Sequence, residues 1–145
     1  ISLTYKKMPF LRIAPICNGK IYVAPRSYQG EEPGKLDIPM EDYIYACKTD
    51  TDKYAKEVEN KYSNHITGQP EPRFSLKHLV KETNGVKKNI MLYILPLNDE
   101  EQIHFTGGKF VTPEEIEMNS AQYSSFLKEE VDHLNIVAQM WEEFK

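Results

Sequence analysis

Short apolar segments near the start of the chain predict strands. Residues 10–17 and 20–26 are two such segments, separated only by Asn18 and Gly19. An Asn-Gly pair readily adopts the positive φ angles of a tight hairpin turn, so we expect an antiparallel pair here. A polar loop rich in glycine and proline follows. Residues 36–47 then carry alternate apolar positions, which predict further extended chain.

The period of the apolar positions changes after residue 51. Apolar side chains now recur at steps of one, three and four residues, which places them on one stripe of a helix. These positions are Tyr54, Ala55, Val58 and Tyr62. After a second polar break, residues 74–82 and 87–95 are rich in β-forming residues and are joined through Asn84 and Gly85. This is the strongest hairpin signal in the sequence.

The C-terminal third predicts two short strands and two helices. Residues 103–105 and 109–111 are strand-like, and Thr112-Pro113 then predicts a helix start, because threonine can cap a helix and proline pre-sets its first φ angle. The last segment keeps apolar residues at steps of three and four, at Leu127, Val131, Leu134, Ala138 and Trp141. We expect an amphipathic helix packed on the sheet, with a homodimer contact as the alternative. This order of elements predicts an α+β fold with a mixed sheet.

Length and charge narrow the choice of functions. The chain has 145 residues, which corresponds to one domain spanning residues 1–145. Its net charge is -4, so no overall field attracts a nucleic-acid backbone, and we expect no nucleic-acid partner. The longest apolar run, residues 90–97, is far shorter than the roughly 20 residues that a bilayer requires. Cys17 and Cys47 lack the spacing of a metal site and are typical of reduced thiols, so we expect a cytoplasmic domain. Since the first residue is Ile1, we also expect this domain to be excised from a longer chain.

Several phrases of the sequence resemble the Nudix family. They are KIYVAPR at 20–26, LDIPMED at 36–42, KYAKEVENKY at 53–62, LYILPL at 92–97 and GGKFVTPEEIE at 107–117. The resemblance implies an α/β/α arrangement, a mixed β-sheet sandwiched between helices. It also points to a conserved family motif, the Nudix box, whose helix carries glutamates that hold magnesium or another divalent ion against a diphosphate.

The box itself is degenerate in this chain. Aligned with the family motif, Lys56 replaces an arginine and Glu57 matches, whereas Asn60 and Lys61 replace the two metal-binding glutamates. Residues at i, i+3 and i+4 share a helical face, so Lys61 shares its face with Glu57, and we expect these two to form an ion pair. Because a lysine repels a divalent cation, we expect no metal, no cofactor and no catalytic residue.

The lost box favours a non-catalytic Nudix-like domain that senses a ligand or binds a protein. Candidate contacts for a small anionic or nucleotide-like ligand are two arginines of the first hairpin and two tyrosines near the expected cleft: Arg12, Arg26, Tyr43 and Tyr45. A faint resemblance to the cytoplasmic portion of some bacterial membrane symporters implies a regulatory role beside a membrane-embedded part of the same chain.

Two rival functions stay open. The first is a divergent Nudix hydrolase that cleaves a nucleoside-diphosphate-linked substrate and recruits Glu41, Glu57 and Glu59 into an altered metal site. This rival requires Lys61 to turn away from the cleft. The second is a structural oligomerisation domain that uses the C-terminal helix as its contact.

Overall fold

A mixed sheet with helices on both faces forms the structure. The computed structural model describes residues 9–43, 51–83 and 86–145. Its strands are β1 (Pro9–Cys17), β2 (Lys20–Pro25), β3 (Leu36–Asp37), β4 (Met40–Tyr43), β5 (Arg73–Thr83), β6 (Val86–Pro96) and β7 (Lys109–Val111). Its helices are α1 (Thr51–Lys61), α2 (Pro113–Met118) and α3 (Ser125–Phe144), and single 3-10 turns occur at Ser63–His65, Glu100–Gln102 and Ser120–Gln122.

Strand β1 lies at the centre of the sheet. The main order is β3-β2-β1-β6-β5, with β4 paired to β1 and β7 paired to β2. Along one edge β1 runs parallel to β6, and along its other edge it pairs antiparallel with β4 at its start and with β2 at its end. The pairing with β4 sets Arg12 opposite Glu41. The central strand therefore gathers side chains from several distant parts of the chain.

Both predicted hairpins form. Between β1 and β2 the φ angles are 54° at Asn18 and 73° at Gly19, which matches the tight turn that this dipeptide favours. Strands β5 and β6 pair antiparallel along their length, with one irregularity between Phe74 and Lys77. The turn at residues 84–85 lies outside the described residues.

Alternation along β1 divides the core into two layers, as the α/β/α prediction requires. Leu11 and Ile13 pack in the layer that contains Ala55 and Val58 of α1. Ala14 and Ile16 pack in the other layer, which contains the buried stripe of α3: Leu127, Val131, Leu134 and Ala138. Each fully buried Leu or Ile stabilises the fold by about 1.5–3 kcal/mol. Within the described residues, no helix is both long and apolar enough to span a membrane.

The helix starts follow from local capping, and one predicted strand is wrong. Thr112 caps α2 by accepting a hydrogen bond from the Glu115 amide at 3.2 Å, with Pro113 as the first helical residue. Residues 103–105 do not form a strand, and Ile103 makes only an isolated bridge to Ile66. The amide of His104 donates to the His65 carbonyl at 2.9 Å, but the pairing ends there, because the amide of Phe105 donates to the Tyr22 hydroxyl at 2.7 Å instead of to a neighbouring strand.

We expect Leu134→Ala to lower the free energy of unfolding by about 2–5 kcal/mol, because Leu134 is fully buried between α3 and the sheet. Ile136→Ala is the matched control on the same helix, since 59% of the Ile136 side chain is exposed, and it should change stability by less than about 0.5 kcal/mol. Urea unfolding followed by circular dichroism measures both. Equal losses would contradict this placement of α3.

Candidate functional site

Arg12 is fully buried and every N–H group of its guanidinium is used. Its Nε and Nη2 donate to the two carboxylate oxygens of Glu130 at 2.8 and 2.7 Å. Its Nη1 and Nη2 donate to Asp37 at 3.1 and 2.7 Å, and Nη1 also donates to Glu41 at 2.5 Å. A guanidinium has five N–H donors, so none is left for a ligand. The expectation that Arg12 contacts a ligand is therefore not supported by its geometry.

The sequence places these groups together through strand alternation. Arg12 lies between Leu11 and Ile13 on β1, so it faces the opposite side of the sheet, where α3 packs. Glu130 of α3 is fully buried beside it. One turn earlier on α3, the ring of Phe126 lies 5.1 Å from the Arg12 guanidinium carbon.

Arg26 extends the ionic network towards solvent. Its Nη1 donates to Asp37 at 2.5 Å and to Glu41 at 3.2 Å, and its Nε donates to the Glu31 carbonyl at 2.7 Å. Among the described residues, its Nη2 has no hydrogen-bond partner, and 13% of the side chain is exposed. We call Arg12, Arg26, Asp37, Glu41 and Glu130 the acid–arginine cluster. Arg26 is the member of this cluster that keeps a donor available.

Burial and pairing shift the ionisation of the cluster in opposite directions. Burial opposes ionisation of Asp37, but Arg12 and Arg26 outweigh it and lower the pKa of this carboxyl. Burial raises the pKa of Glu130 to about 7; Arg12 opposes the rise, and the neighbouring Asp37 and Glu41 carboxylates add to it. Burial also opposes the charge of Arg12, yet its three acidic partners raise its pKa well above the ordinary value. Arg12 therefore stays charged.

A cleft of about 500 Å³ opens beside the acid–arginine cluster. It is lined by Ala24, Pro25, Arg26, Ser27, Gly30, Glu31, Asp37, Ile38, Pro39, Glu41, Tyr62, His65, Phe105 and Thr106. We call Tyr62, His65 and Phe105 the aromatic cluster. The rings of His65 and Phe105 stack with centroids 4.0 Å apart and planes inclined by 8°. The volume is typical of a site for a small molecule.

The degenerate box positions do not converge on this cleft. Lys56 pairs with Glu59 at 2.9 Å, and both line a separate pocket together with Asn60. Lys61 pairs with Asp42 of β4, not with Glu57 as the helical spacing predicted, because β4 brings a carboxylate within reach of the last turn of α1. The bond to Asp42 raises the pKa of Lys61.

The remaining sequence-predicted contacts lie in different places. Tyr43 is 37% exposed and packs on Phe10 with ring centroids 4.8 Å apart. It lines a smaller pocket, of about 340 Å³, together with Arg26, which also lines the cleft. Tyr45 lies outside the described residues. Of the three candidate ligand contacts among the described residues, Arg26 is thus the one that lines the cleft.

Several site residues were not identified from the sequence. Glu130 interrupts the apolar stripe of α3 one turn after Phe126, and a carboxylate at a predicted core position was a readable sign of a buried partner. Asp37 lies inside a phrase matched to the family, without any signal of its own. His65 and Phe105 are 40 positions apart in the sequence and meet only through the fold.

Comparison with solved structures places this fold among Nudix proteins. A Nudix hydrolase from Nitrosomonas europaea matches with a TM-score of 0.61 at 10% identity, over 88% of this chain and 87% of that one. A MutT protein from Methanosarcina mazei matches with a TM-score of 0.60 at 12% identity, over 92% and 94%. The C-terminal domain of mouse MUTYH, solved in complex with human PCNA, gives 0.55 at 15% identity, over 95% and 88%.

The chain therefore has the Nudix fold. Identities this low show the fold alone. No protein-family profile matches the sequence, and no curated protein sequence matches it.

Replacing Arg12 by leucine should cost about 3–5 kcal/mol of unfolding free energy, because three carboxylates would lose their buried counter-charge. Arg73→Leu is the control: Arg73 is exposed on β5 and lies over the Trp141 ring at 5.7 Å, so its loss should stay within about 1 kcal/mol. Chemical denaturation compares the two. A loss below about 1 kcal/mol for Arg12→Leu would show that these ion pairs contribute little to the free energy of unfolding.

Stability should fall as pH rises from about 4.5 to about 7, because the raised pKa of Glu130 means that the folded state holds this proton more tightly than the unfolded state. The contribution is fully present below the ordinary pKa of 4.5, declines by up to about 1.4 kcal/mol per pH unit between the two pKa values, and is gone once the pH has passed the folded value. Asp37, with its lowered pKa, acts oppositely and only below about its ordinary value of 3.8. Thermal unfolding from pH 5 to 8 measures the slope, and Glu130→Gln should remove it.

Proposed function

We propose that this chain is a non-catalytic Nudix-fold domain whose cleft binds a ligand and does not hydrolyse it. One observation carries the proposal: four carboxylates around the cleft and the box helix are already paired with cationic side chains of the chain itself. Asp37 and Glu41 hold Arg12 and Arg26, Asp42 holds Lys61, and Glu59 holds Lys56.

These pairings leave a divalent ion poor ligands. Magnesium prefers several oxygen ligands in near-octahedral geometry, and the nearest carboxylates of the cluster are shared between two guanidinium groups. An ion that took Asp37 or Glu41 would leave Arg12 buried with fewer partners, which is strongly unfavourable. The arginines would also repel the ion. At an effective dielectric near 20, the Coulomb energy between two unit charges about 4 Å apart is about 4 kcal/mol.

The rival hydrolase function would use Glu41, Glu57 and Glu59. Glu41 is bound to both arginines, and Glu59 is buried against Lys56. Glu57 is exposed on the surface of α1. The fold likeness is equally compatible with a divergent hydrolase, so the charge pairing alone favours binding over hydrolysis.

Two further expectations stay predictions. The complete reading frame tests whether this single domain is the cytoplasmic regulatory part of a bacterial membrane transport protein. Analytical ultracentrifugation tests the homodimer, for which the outer face of α3 offers Ile136, Met140 and Phe144 as exposed apolar side chains. A monomer at high concentration would contradict the oligomerisation function.

Calorimetric titration with magnesium and with manganese tests the proposed function directly. We expect no stoichiometric binding by the natural chain, and no cleavage of a dinucleoside polyphosphate into two nucleotides or of a nucleoside diphosphate sugar into a nucleoside monophosphate and a sugar phosphate. The double variant Asn60→Glu, Lys61→Glu restores two carboxylates beside Glu57 and should gain weak manganese binding. Tight metal binding with diphosphate turnover by the natural chain would overturn the proposal.

A further inference from the structure

The charges beside the cleft are matched to one another. Arg12 and Arg26 are bridged by Asp37 and Glu41, so two cations face two carboxylates. Glu130 adds a further carboxyl behind this set. Glu31 adds another acidic side chain among the residues that line the cleft. The cleft therefore presents no net positive field to an incoming anion.

Arg26 is the single lysine or arginine among the described residues that line the cleft. Its Nη1 and Nε are engaged, so a ligand meets the one remaining donor nitrogen, Nη2. A diphosphate would need more of this guanidinium and would compete with Asp37 and Glu41 for it. Asp37 is almost fully buried, and a buried carboxylate that loses a counter-charge is costly. The arrangement disfavours a multiply charged anion.

The aromatic cluster supplies complementary features for a neutral ligand. The His65 Nδ1 lies 2.9 Å from the carbonyl oxygen of His104. A carbonyl only accepts, so Nδ1 carries the hydrogen, and in the neutral ring Nε2 keeps its lone pair as an acceptor. Phe105, stacked on His65, and Tyr62 add ring surface to the cleft. Flat apolar surface with a few polar groups is typical of a site for a ring-shaped molecule.

We propose that the cleft binds an uncharged polar ring compound, with an acceptor for Arg26 Nη2, a hydrogen-bond donor for His65 Nε2 and a flat face against the aromatic cluster. This inference rests on the proposed ligand-binding function and specifies its ligand class. It differs from the anionic or nucleotide-like ligand expected from the sequence, because Arg12 and Arg26 bind the chain's own carboxylates. No bond is made or broken in the ligand.

Adenosine and ADP form a matched pair of probes, because they share base and ribose and differ in the charged diphosphate. Titrations of the ¹⁵N-labelled chain, followed by amide chemical shifts at low and high salt, measure both, with uridine and nicotinamide as further uncharged probes. We expect at least one uncharged probe to shift amides of the cleft, adenosine to bind no more weakly than ADP, and the affinity to change less than about two-fold with salt.

Two outcomes would overturn the inference. One is ADP binding about ten-fold more tightly than adenosine, with an affinity that falls as salt rises, which would define an anion site. The other is the absence of binding by all three uncharged probes. Neither outcome depends on turnover. Phosphate release from ADP with magnesium, measured separately, would contradict the non-catalytic function. The titrations would still decide which ligand class the cleft prefers.

Two exposed histidines provide a matched control. His65→Gln removes the stacked ring and its Nε2 acceptor, and should weaken binding of the uncharged probe about five-fold. His104→Gln makes the same substitution at a side chain that does not line the cleft, and should leave affinity unchanged. Amide spectra of the free variants establish that both keep the fold. An equal effect of the two substitutions would place the ligand elsewhere.

Discussion

The buried guanidinium of Arg12 is the constraint on which the rest of this structure depends. A charged group without water must be fully paired, and here the partners come from three separate parts of the chain: Asp37 after β2, Glu41 on β4 and Glu130 on α3. Each partner fixes an element against β1. Because burial would otherwise oppose both the Arg12 cation and the carboxylates, the cluster is favourable only when all its members are in place.

This requirement links the sheet to the cleft. Arg26 shares Asp37 and Glu41 with Arg12, and the ring centroid of Phe126 lies 5.1 and 5.3 Å from the guanidinium carbons of Arg12 and Arg26. The loop that follows Arg26 is held at its far end, where the Glu32 carboxylate accepts hydrogen bonds from the Ser125 amide and hydroxyl at 3.0 and 2.8 Å. Hydrogen bonds and ion pairs therefore connect the start of α3 to one side of the cleft. The shape of the cleft is set by these structural contacts.

Local patterns predicted most of the fold, and long-range pairing explains what they missed. The Asn18-Gly19 turn, the cap at Thr112 and the apolar stripe of α3 each depend on residues close in sequence, so the sequence predicted them correctly. The predicted ion pair between Lys61 and Glu57 was wrong, because helical spacing indicates only Glu57, whereas β4 supplies Asp42 from 19 positions away. Arg12 was expected to contact a ligand because a lone arginine on a strand gives no sign of a glutamate 118 positions later.

The same charge pairing bears on whether a Nudix fold hydrolyses a substrate or only binds a ligand. A hydrolase of this shape needs carboxylates that are free to hold a divalent cation, so the cation comes from solution and the diphosphate follows it. In this chain the cations are covalently part of the protein, as Arg12, Arg26 and Lys61, and they hold Asp37, Glu41 and Asp42. A guanidinium satisfies a carboxylate but activates no water for attack on phosphorus. Under the proposed function, fixed cations take the place of a bound metal, which would preserve the architecture of the cleft while removing the electrophile that the chemistry requires.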